Sequence, residues 1–192
     1  MKSQMLRLFL WMLFLTGFVY PFLITGIAQL SMKEKAEGSI ISLKGKLIGS
    51  KLIGQKFENP RYFWPRPSAV DYNPLPSGGS NLGPISLELE ELVKKRQDHI
   101  SKTHGTPDVV NNIPSELLYA SGSGLDPHIS PEAAYFQVER IVKARNLDEK
   151  NKKTLNDIIL ESTKPLFFHH LAPSCVNVLE LNIALDELKS DL

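Results

Sequence analysis

An uncharged apolar run, residues 8–30 (LFLWMLFLTGFVYPFLITGIAQL), constrains this 192-residue chain more than any other feature. At ~1.5 Å rise per residue, a helix of that length crosses a hydrocarbon core of ~30 Å. A cleavable signal peptide and a buried helix of a soluble protein are the alternatives. The run is longer than the apolar part of a usual signal peptide, and no clear A-x-A cleavage site ends it. We therefore predict one transmembrane helix at residues 8–30, followed by a soluble region at 31–192.

Features inside and beside this run bear on its contacts and orientation. Pro21 lacks an amide hydrogen and can kink the helix, while Gly17 and Gly26 let neighbouring helices approach closely. The flanking basic residues favour a cytoplasmic location for the soluble region; they are Lys2 and Arg7 before the span and Lys33, Lys35, Lys44 and Lys46 after it. Long C-terminal domains can translocate regardless of such charges, so orientation stays open at this point.

The charge balance excludes one class of partner. Lysine and arginine number 22 against 21 aspartates and glutamates, so the chain lacks the positive field that attracts nucleic acid. The single cysteine, Cys175, cannot form an intrachain disulfide and does not report the redox compartment. We expect no nucleic-acid partner.

Local patterns predict alternating strands and helices after the span. Residues 39–53 contain two β-branched runs around Lys44-Gly45, which is typical of a hairpin. Residues 62–84 are rich in both proline and aromatic residues, which predicts an ordered loop without regular structure. In CVNVLELNIALDEL, residues 175–188, the alternating Val176 and Val178 together with β-branched Ile183 favour a final strand.

Capping patterns predict three helices. Ser86 precedes the first, which should run to about Lys102; Ser130 precedes the second, which should end near Arg145; Asp148 precedes the third. The interspersed elements predict one mixed α/β (α+β) soluble domain on a single transmembrane helix.

Three glycine-rich stretches resemble phosphate-binding loops. GSKLIGQK, residues 49–56, has Gln55 where a P-loop lysine belongs, and SGSGLDP, residues 121–127, has Pro127 where the third glycine of a dinucleotide fingerprint belongs. SGGSN has backbone amides and hydroxyls but no accompanying cation motif, so it is a weak nucleotide candidate or a docking loop. Its residues are Ser77, Gly78, Gly79, Ser80 and Asn81.

Catalytic and metal-binding patterns are weaker still. Ser121 or Ser123 with Asp126 and His128 supplies the residue types of a hydrolase triad without a nucleophile elbow. We predict no catalytic residues and no metal site, because neither of two histidine groups has a recognised ligand spacing: His99 with His104, and His169 with His170 and Cys175. KTHGT, residues 102–106, lacks the aspartate of the phosphorylation loop of P-type pumps.

Longer motifs carry a specific resemblance. GSKLIGQKF, YFWPRPSA, YNPLPSGGSNLGP, ASGSGLDPHISPEAA and VNVLELNIALD occur in this order behind a single span. Together they closely resemble the C subunit of the Kdp potassium-transporting ATPase, and the resemblance covers nearly the whole chain.

The resemblance implies a non-catalytic subunit of a bacterial inner-membrane complex that imports potassium with ATP. It implies pore-forming and ATP-hydrolysing partner subunits, a small membrane peptide subunit and the lipid bilayer around the span. Residues 1–7 would be cytoplasmic and residues 31–192 would lie outside the cytoplasm. The family is described as a catalytic chaperone that raises the pump's ATP affinity, so ATP is expected only through the pump subunit and no cofactor is firmly bound. The alternative is a membrane-anchored hydrolase that acts alone through Ser123, Asp126 and His128.

Overall fold

The computed structural model describes residues 2–104, 112–163 and 173–188. They fall into two compact units, Met1–Ser50 and Lys51–Leu192. The first unit begins with a continuous helical run of 30 residues, Lys2–Ser31. Its parts are α1 (Lys2–Phe14), a π-helical turn (Leu15–Val19) and α2 (Tyr20–Ser31).

The π-helical turn lies directly before Pro21. Its last hydrogen bond joins the Tyr20 amide to the Leu15 carbonyl, five residues back. Proline has no amide hydrogen and its ring crowds the preceding turn, which accounts for a helix irregularity at this point. None of the helical run is buried, and its apolar side chains face outward all round. A helix of this length and composition is suited to lipid.

The predicted hairpin is confirmed. A short helix, α3 (Lys33–Ala36), leads into antiparallel strands β1 (Ile40–Leu43) and β2 (Lys46–Ser50). Lys44 and Gly45 both have positive φ, at 50° and 78°. Two positive φ values suit a two-residue turn between twisted strands, and glycine adopts this conformation without steric cost.

The second unit is mostly helical, and with its short strands it confirms the mixed fold class. Strands β3 and β4 form one antiparallel pair, in which His128 lies opposite Asn177 and Ile129 opposite Val176. The elements in chain order are α4 (Leu87–His104), a 3-10 turn (Ser115–Leu117), β3 (His128–Ile129), α5 (Pro131–Arg145), α6 (Glu149–Ser162), β4 (Val176–Asn177) and α7 (Val178–Glu187).

Side-chain caps begin the helices where the sequence predicted them. The Ser130 hydroxyl accepts the Ala133 amide at 3.1 Å, and the Asp148 carboxylate accepts the Asn151 amide at 2.8 Å. Helix α5 ends at Arg145, as expected, and Asn146 follows in the left-handed conformation. The first helix also lies where predicted: α4 starts directly after Ser86 and ends at His104.

The predicted final strand is wrong. Only Val176–Asn177 pairs as a strand, and residues 178–187 form α7. Asn177 caps this helix by accepting the Glu180 amide at 3.1 Å. Helical spacing places Val178, Leu181 and Leu185 on the buried face. The Asn177 cap and this helical spacing of apolar residues therefore predict the structure better than the alternation of β-branched residues does.

One core holds the second unit together. Helices α5, α6 and α7 pack their apolar faces around the β3–β4 pair, and two aromatic residues of the irregular segment, Phe63 and Trp64, enter the same core. Its fully buried large members include Phe63, Ile129, Ile141, Leu155, Ile159, Leu181 and Leu185.

Buried side-chain amides bind the backbone of this irregular segment. The Phe63 amide donates to Asn182 Oδ1 at 2.8 Å, and Asn182 Nδ2 donates back to the Phe63 carbonyl at 3.0 Å. Gln137 does the same for Trp64, accepting its amide at 2.7 Å and donating to its carbonyl at 3.1 Å. The two amide side chains thus supply the hydrogen bonds that a neighbouring strand would otherwise provide.

Two buried arginines complete this arrangement, which we call the backbone clamp: Gln137, Arg140, Arg145 and Asn182. Arg140 donates to the carbonyls of Pro60 and Tyr62 and lies 3.8 Å from the centre of the Trp64 ring. Burial lowers the pKa of Arg140 to about 9, so the guanidinium stays charged near neutral pH. Arg145 donates to the Arg61 carbonyl at 2.8 Å and forms an ion pair with Asp186 at 2.7 Å.

Replacing Asn182 with leucine should destabilise the protein strongly. The Asn182→Leu variant leaves the Phe63 amide and carbonyl buried without partners, and each such group costs ~1–3 kcal/mol. We expect the free energy of unfolding of the detergent-solubilised chain, followed by circular dichroism in urea, to fall by about 3 kcal/mol. The control is Asn156→Leu on α6, where the side-chain amide forms no hydrogen bond with a described residue and the change should stay within ~0.5 kcal/mol. Equal effects at the two positions would contradict the clamp.

Candidate docking site

Residues 62–84 form an ordered loop without helix or strand, as predicted. The aromatic residues at the start of this loop do not form an exposed docking surface. Phe63 is fully buried and Trp64 is only 9% exposed, because the clamp draws both into the core. Any docking surface must therefore lie further along the loop.

The middle of the loop is held by its own side chains. The Ser68 hydroxyl accepts the amides of Val70 and Tyr72 at 3.1 and 2.9 Å. The Tyr72 hydroxyl donates to the Arg66 carbonyl at 2.6 Å, and burial raises the pKa of this phenol. Lys56 forms an ion pair with Asp71 at 2.8 Å. These contacts fix the loop before it reaches the glycines.

An ion pair joins the loop to the second glycine-rich stretch. Arg66 Nη1 lies 3.0 Å from Asp126 Oδ2, and the Ser121 amide donates to the Pro67 carbonyl at 3.0 Å. Burial raises the pKa of Asp126, but hydrogen bonds from His128 and from Arg66 outweigh that effect and hold it below its ordinary value. Arg66 is thus occupied by a carboxylate and is not a free cation for phosphate.

The two glycine-rich stretches pack against each other. A Cβ atom at Gly79 would lie 3.0 Å from the Gly122 carbonyl oxygen. Gly124 has a φ of 69°, and a Cβ there would lie 2.8 Å from the Gly78 carbonyl and 2.6 Å from Val70 Cγ2. Close backbone approach therefore accounts for these glycines, because a larger residue would force the loops apart.

The SGGSN residues themselves are accessible. Ser77, Ser80 and Asn81 are exposed, and Gly78 and Gly79 are half-buried. None of the five forms a hydrogen bond with any other described residue. The loop therefore presents unbonded polar groups to its surroundings, which suits contact with water or with a partner. Nucleotide binding by these residues stays a prediction.

Large apolar side chains flank SGGSN. Leu75 is 82% exposed, Ile85 is 96% exposed and Leu87 is 76% exposed. We call residues 75–87, which include SGGSN, the docking segment. A groove of about 510 Å³ continues beside it along the start of α4, lined on its apolar side by Ile85, Leu89, Val93 and Tyr119. Exposed apolar groups bordered by polar ones are typical of protein interfaces.

The residues of the hydrolase alternative do not form a triad. Ser123 accepts a hydrogen bond from the Leu125 amide, and no hydrogen bond joins Ser123 to His128. His128 Nδ1 lies 3.7 Å from Asp126 Oδ1, beyond hydrogen-bond distance. The Asp126 carboxylate instead accepts hydrogen bonds from the Arg66 guanidinium and from the His128 backbone amide. No relay from carboxylate to imidazole to hydroxyl exists in this arrangement.

The remaining histidines and glycines have structural environments. His99 stacks on Trp64 with 5.1 Å between ring centres, and burial lowers the pKa of His104, which packs on Phe136. Among the described residues, no group of three or more possible ligands could hold a metal ion. His169 and His170 lie outside the described residues. Gly49 is part of β2, whereas Gly54 is buried and donates to the Leu125 carbonyl at 2.8 Å.

The backbone clamp was not predicted from the sequence. A signal for it exists in the buried faces of the helices, where polar residues occupy core positions among apolar ones. Gln137 precedes Val138 on α5, and Asn182 follows Leu181 on α7. Buried amides of this kind require partners, so they indicate a segment whose backbone lacks its own.

Comparison with known proteins settles the family. The family model for the c chain of K+-transporting ATPase, KdpC, matches residues 2–187. The chain belongs to the KdpC family. Among its relatives are KdpC subunits of potassium-transporting ATPase from three bacteria. That of Flavobacterium johnsoniae is 45% identical over 97% of both chains. That of Paraburkholderia phytofirmans is 46% identical, with 91% of this chain and 90% of the relative covered. That of Bacillus cereus strain Q1 is 45% identical, with 97% and 95% covered.

The KdpC relationship confirms the family inferred from the motifs. Those motifs include all three glycine-rich stretches and the segment bound by the clamp. Two of these stretches, residues 77–81 and 121–127, pack against each other in this chain.

Exchanging Gly124 for alanine tests the contact between the glycine loops. The Gly124→Ala side chain meets Val70 and the Gly78 carbonyl at a positive φ, so we expect a loss of about 2 kcal/mol in unfolding free energy. Gly78→Ala is the matched control, because a Cβ there meets nothing within 4 Å. That variant should stay within ~0.5 kcal/mol of the parent. Urea unfolding in detergent measures both, and a neutral Gly124→Ala would contradict the packing described.

Proposed function

We propose that this chain is a non-catalytic accessory subunit of an ATP-driven potassium import complex. The observation that carries the proposal is the KdpC family match over residues 2–187. The apolar helix Lys2–Ser31 would hold the subunit in the inner membrane, and the docking segment would bind a partner subunit. The partners would be the pore-forming and ATP-hydrolysing subunits, together with a small membrane peptide.

The docking role is supported by how the segment is built. Its apolar side chains are exposed, yet the clamp and the Arg66–Asp126 ion pair hold the chain before it, and the glycine contact holds Gly78 and Gly79 within it. A surface that is already ordered loses little conformational entropy on binding. The segment therefore suits stable assembly better than transient contact.

An effect on ATP affinity would be indirect in this proposal. The SGGSN residues offer no cation, and the nearby Arg66 is engaged by Asp126. The subunit would alter ATP binding through the pump subunit, by favouring one of its conformations. ATP itself would contact the pump subunit only.

The soluble unit would lie outside the cytoplasm and cover the pore entrance of the channel-forming partner. A subunit placed there can stabilise the complex without taking part in phosphoryl transfer. The hydrolase alternative has no comparable support, because Ser123, Asp126 and His128 are not arranged as a relay.

Placing a charge in the docking segment should weaken assembly. Ile85→Asp puts a carboxylate at a side chain that would be buried against the partner, where an unpaired charge is unfavourable. We expect at least about a tenfold drop in the partner subunits that co-purify with the tagged chain from membranes. Leu160→Asp is the control, since Leu160 is a 66% exposed leucine on α6. An unchanged yield for Ile85→Asp, or equal losses for both, would contradict docking at this segment.

Sidedness can be measured with one cysteine. In a Cys175→Ser background, Lys153→Cys places a thiol on the exposed surface of α6. A membrane-impermeant maleimide should label this thiol in intact spheroplasts, because the proposal puts the soluble unit outside the cytoplasm. Labelling only after lysis would place it in the cytoplasm and would reopen direct nucleotide contact by Ser77 to Asn81.

A further inference from the structure

The β1–β2 hairpin is fixed to the end of the apolar helix. Only α3 and three further residues separate Met32 from the first strand. The Ser39 amide donates to the Glu34 carbonyl at 2.8 Å, and the Ser50 hydroxyl donates to the Gly38 carbonyl at 2.7 Å. The base of the hairpin is thus hydrogen-bonded to residues 34–38, which directly follow the apolar helix.

This hairpin exposes apolar side chains. Ile40 is 52% exposed, Leu43 is 37% exposed and Leu47 is 71% exposed. Ser42 lies opposite Leu47 and Leu43 opposite Lys46, so the exposed leucines are on different faces near the turn. Within the first unit the sheet has two strands only, and isolated two-stranded sheets are marginally stable in water. Such a hairpin is stabilised when its exposed apolar side chains are buried against another surface.

The charged residues near the hairpin turn indicate what kind of surface could bury these apolar side chains. Lys44 and Lys46 are exposed, and neither pairs with a carboxylate of the described chain. Residues 32–50 contain four lysines and two glutamates, so the segment beside the helix is cationic. Lysines mixed with exposed leucines next to a span fit an anionic lipid surface, where ammonium groups contact phosphates and apolar groups enter the headgroup boundary.

The length of the hairpin is compatible with contact between its tip and the lipid headgroup layer. A strand of four to five residues extends ~13–17 Å at ~3.3 Å per residue. The polar layer on each side of a bilayer is several ångströms thick, and interfacial segments bury apolar groups ~5–10 Å deep. A hairpin that begins at Ile40, with eight residues between it and the end of the helix at Ser31, can therefore reach this layer.

We infer that the hairpin tip, residues 43–47, binds the anionic lipid surface beside the helix. Lys44 and Lys46 contact lipid phosphates, and Leu43 and Leu47 enter the boundary between headgroups and acyl chains. The contact holds the residues that follow the apolar helix at the membrane surface. It thereby restricts the direction in which the chain continues from the helix. The inference rests on the membrane anchoring proposed above.

The test places a spin label on the hairpin of the full chain. In a Cys175→Ser background, Ser42→Cys is labelled, and the protein is reconstituted into vesicles of phosphatidylcholine alone or a two-to-one mixture with phosphatidylglycerol. Power saturation reports collisions with oxygen, which enters lipid, and with neutral nickel ethylenediaminediacetate, which stays in water. With phosphatidylglycerol present we expect the label to become accessible to oxygen and protected from nickel.

Charge reversal supplies the decisive comparison. K44E/K46E should lower the ratio of inserted to water-exposed label by at least about tenfold in the phosphatidylglycerol vesicles, since each lysine contributes to binding an anionic surface. K150E/K153E makes the same charge change at exposed positions of α6 and should leave the ratio unchanged. Leu47→Gln should lower insertion in the mixed vesicles without altering the span.

Three results would overturn the inference. One is a label freely accessible to nickel in both kinds of vesicle. Another is protection that is equal with and without phosphatidylglycerol. The third is protection that appears only when partner subunits are present, which would make the hairpin a protein contact. Alkaline carbonate extraction separates these from failure of the anchor, because release of the chain would contradict the anchoring itself.

Discussion

The second unit depends on hydrogen bonds that helices α5 and α7 donate and accept around residues 60–64. This stretch contains one proline and has no strand partner, yet its Phe63 and Trp64 side chains lie in the core. A buried backbone without partners is strongly unfavourable, so Gln137 and Asn182 must each supply both a donor and an acceptor. Without them Phe63 and Trp64 cannot be buried, and the three helices lose a shared part of their core.

The clamp also sets the course of the glycine-rich loop that follows. Once Trp64 is fixed, Arg66 reaches Asp126, and the glycines of the two loops come into backbone contact. These contacts restrict the chain before the docking segment and, at Gly78 and Gly79, within it. The exposed leucine and isoleucine side chains are thus displayed from an ordered support, which lowers the entropy cost of binding a partner. In the proposed function, this series of contacts links the fold to partner binding.

Local signals explain which elements the sequence predicted. The long apolar helix, the Lys44-Gly45 turn and the Ser130 and Asp148 caps each depend on residues close together in the chain, and all occur as expected. Helix α7 was missed because Val176 and Val178 alternate like a strand, although Asn177 begins a helix. The clamp was missed because it joins residues more than 70 positions apart, which no local pattern reports. The glycine loops resembled phosphate sites because close backbone approach and anion binding both need residues without a Cβ.

Hydrogen–deuterium exchange across residues 59–87, compared between the isolated chain and the assembled complex, tests the central claim most directly. The clamp and the docking segment should behave differently in this measurement. The amides of Phe63 and Trp64 should be protected in both states, because Gln137 and Asn182 bind them. The amides of residues 77–85 should exchange rapidly in the isolated chain and slowly in the complex. Rapid exchange at Phe63 and Trp64, or unchanged exchange at 77–85 on assembly, would contradict a clamped loop that docks on a partner.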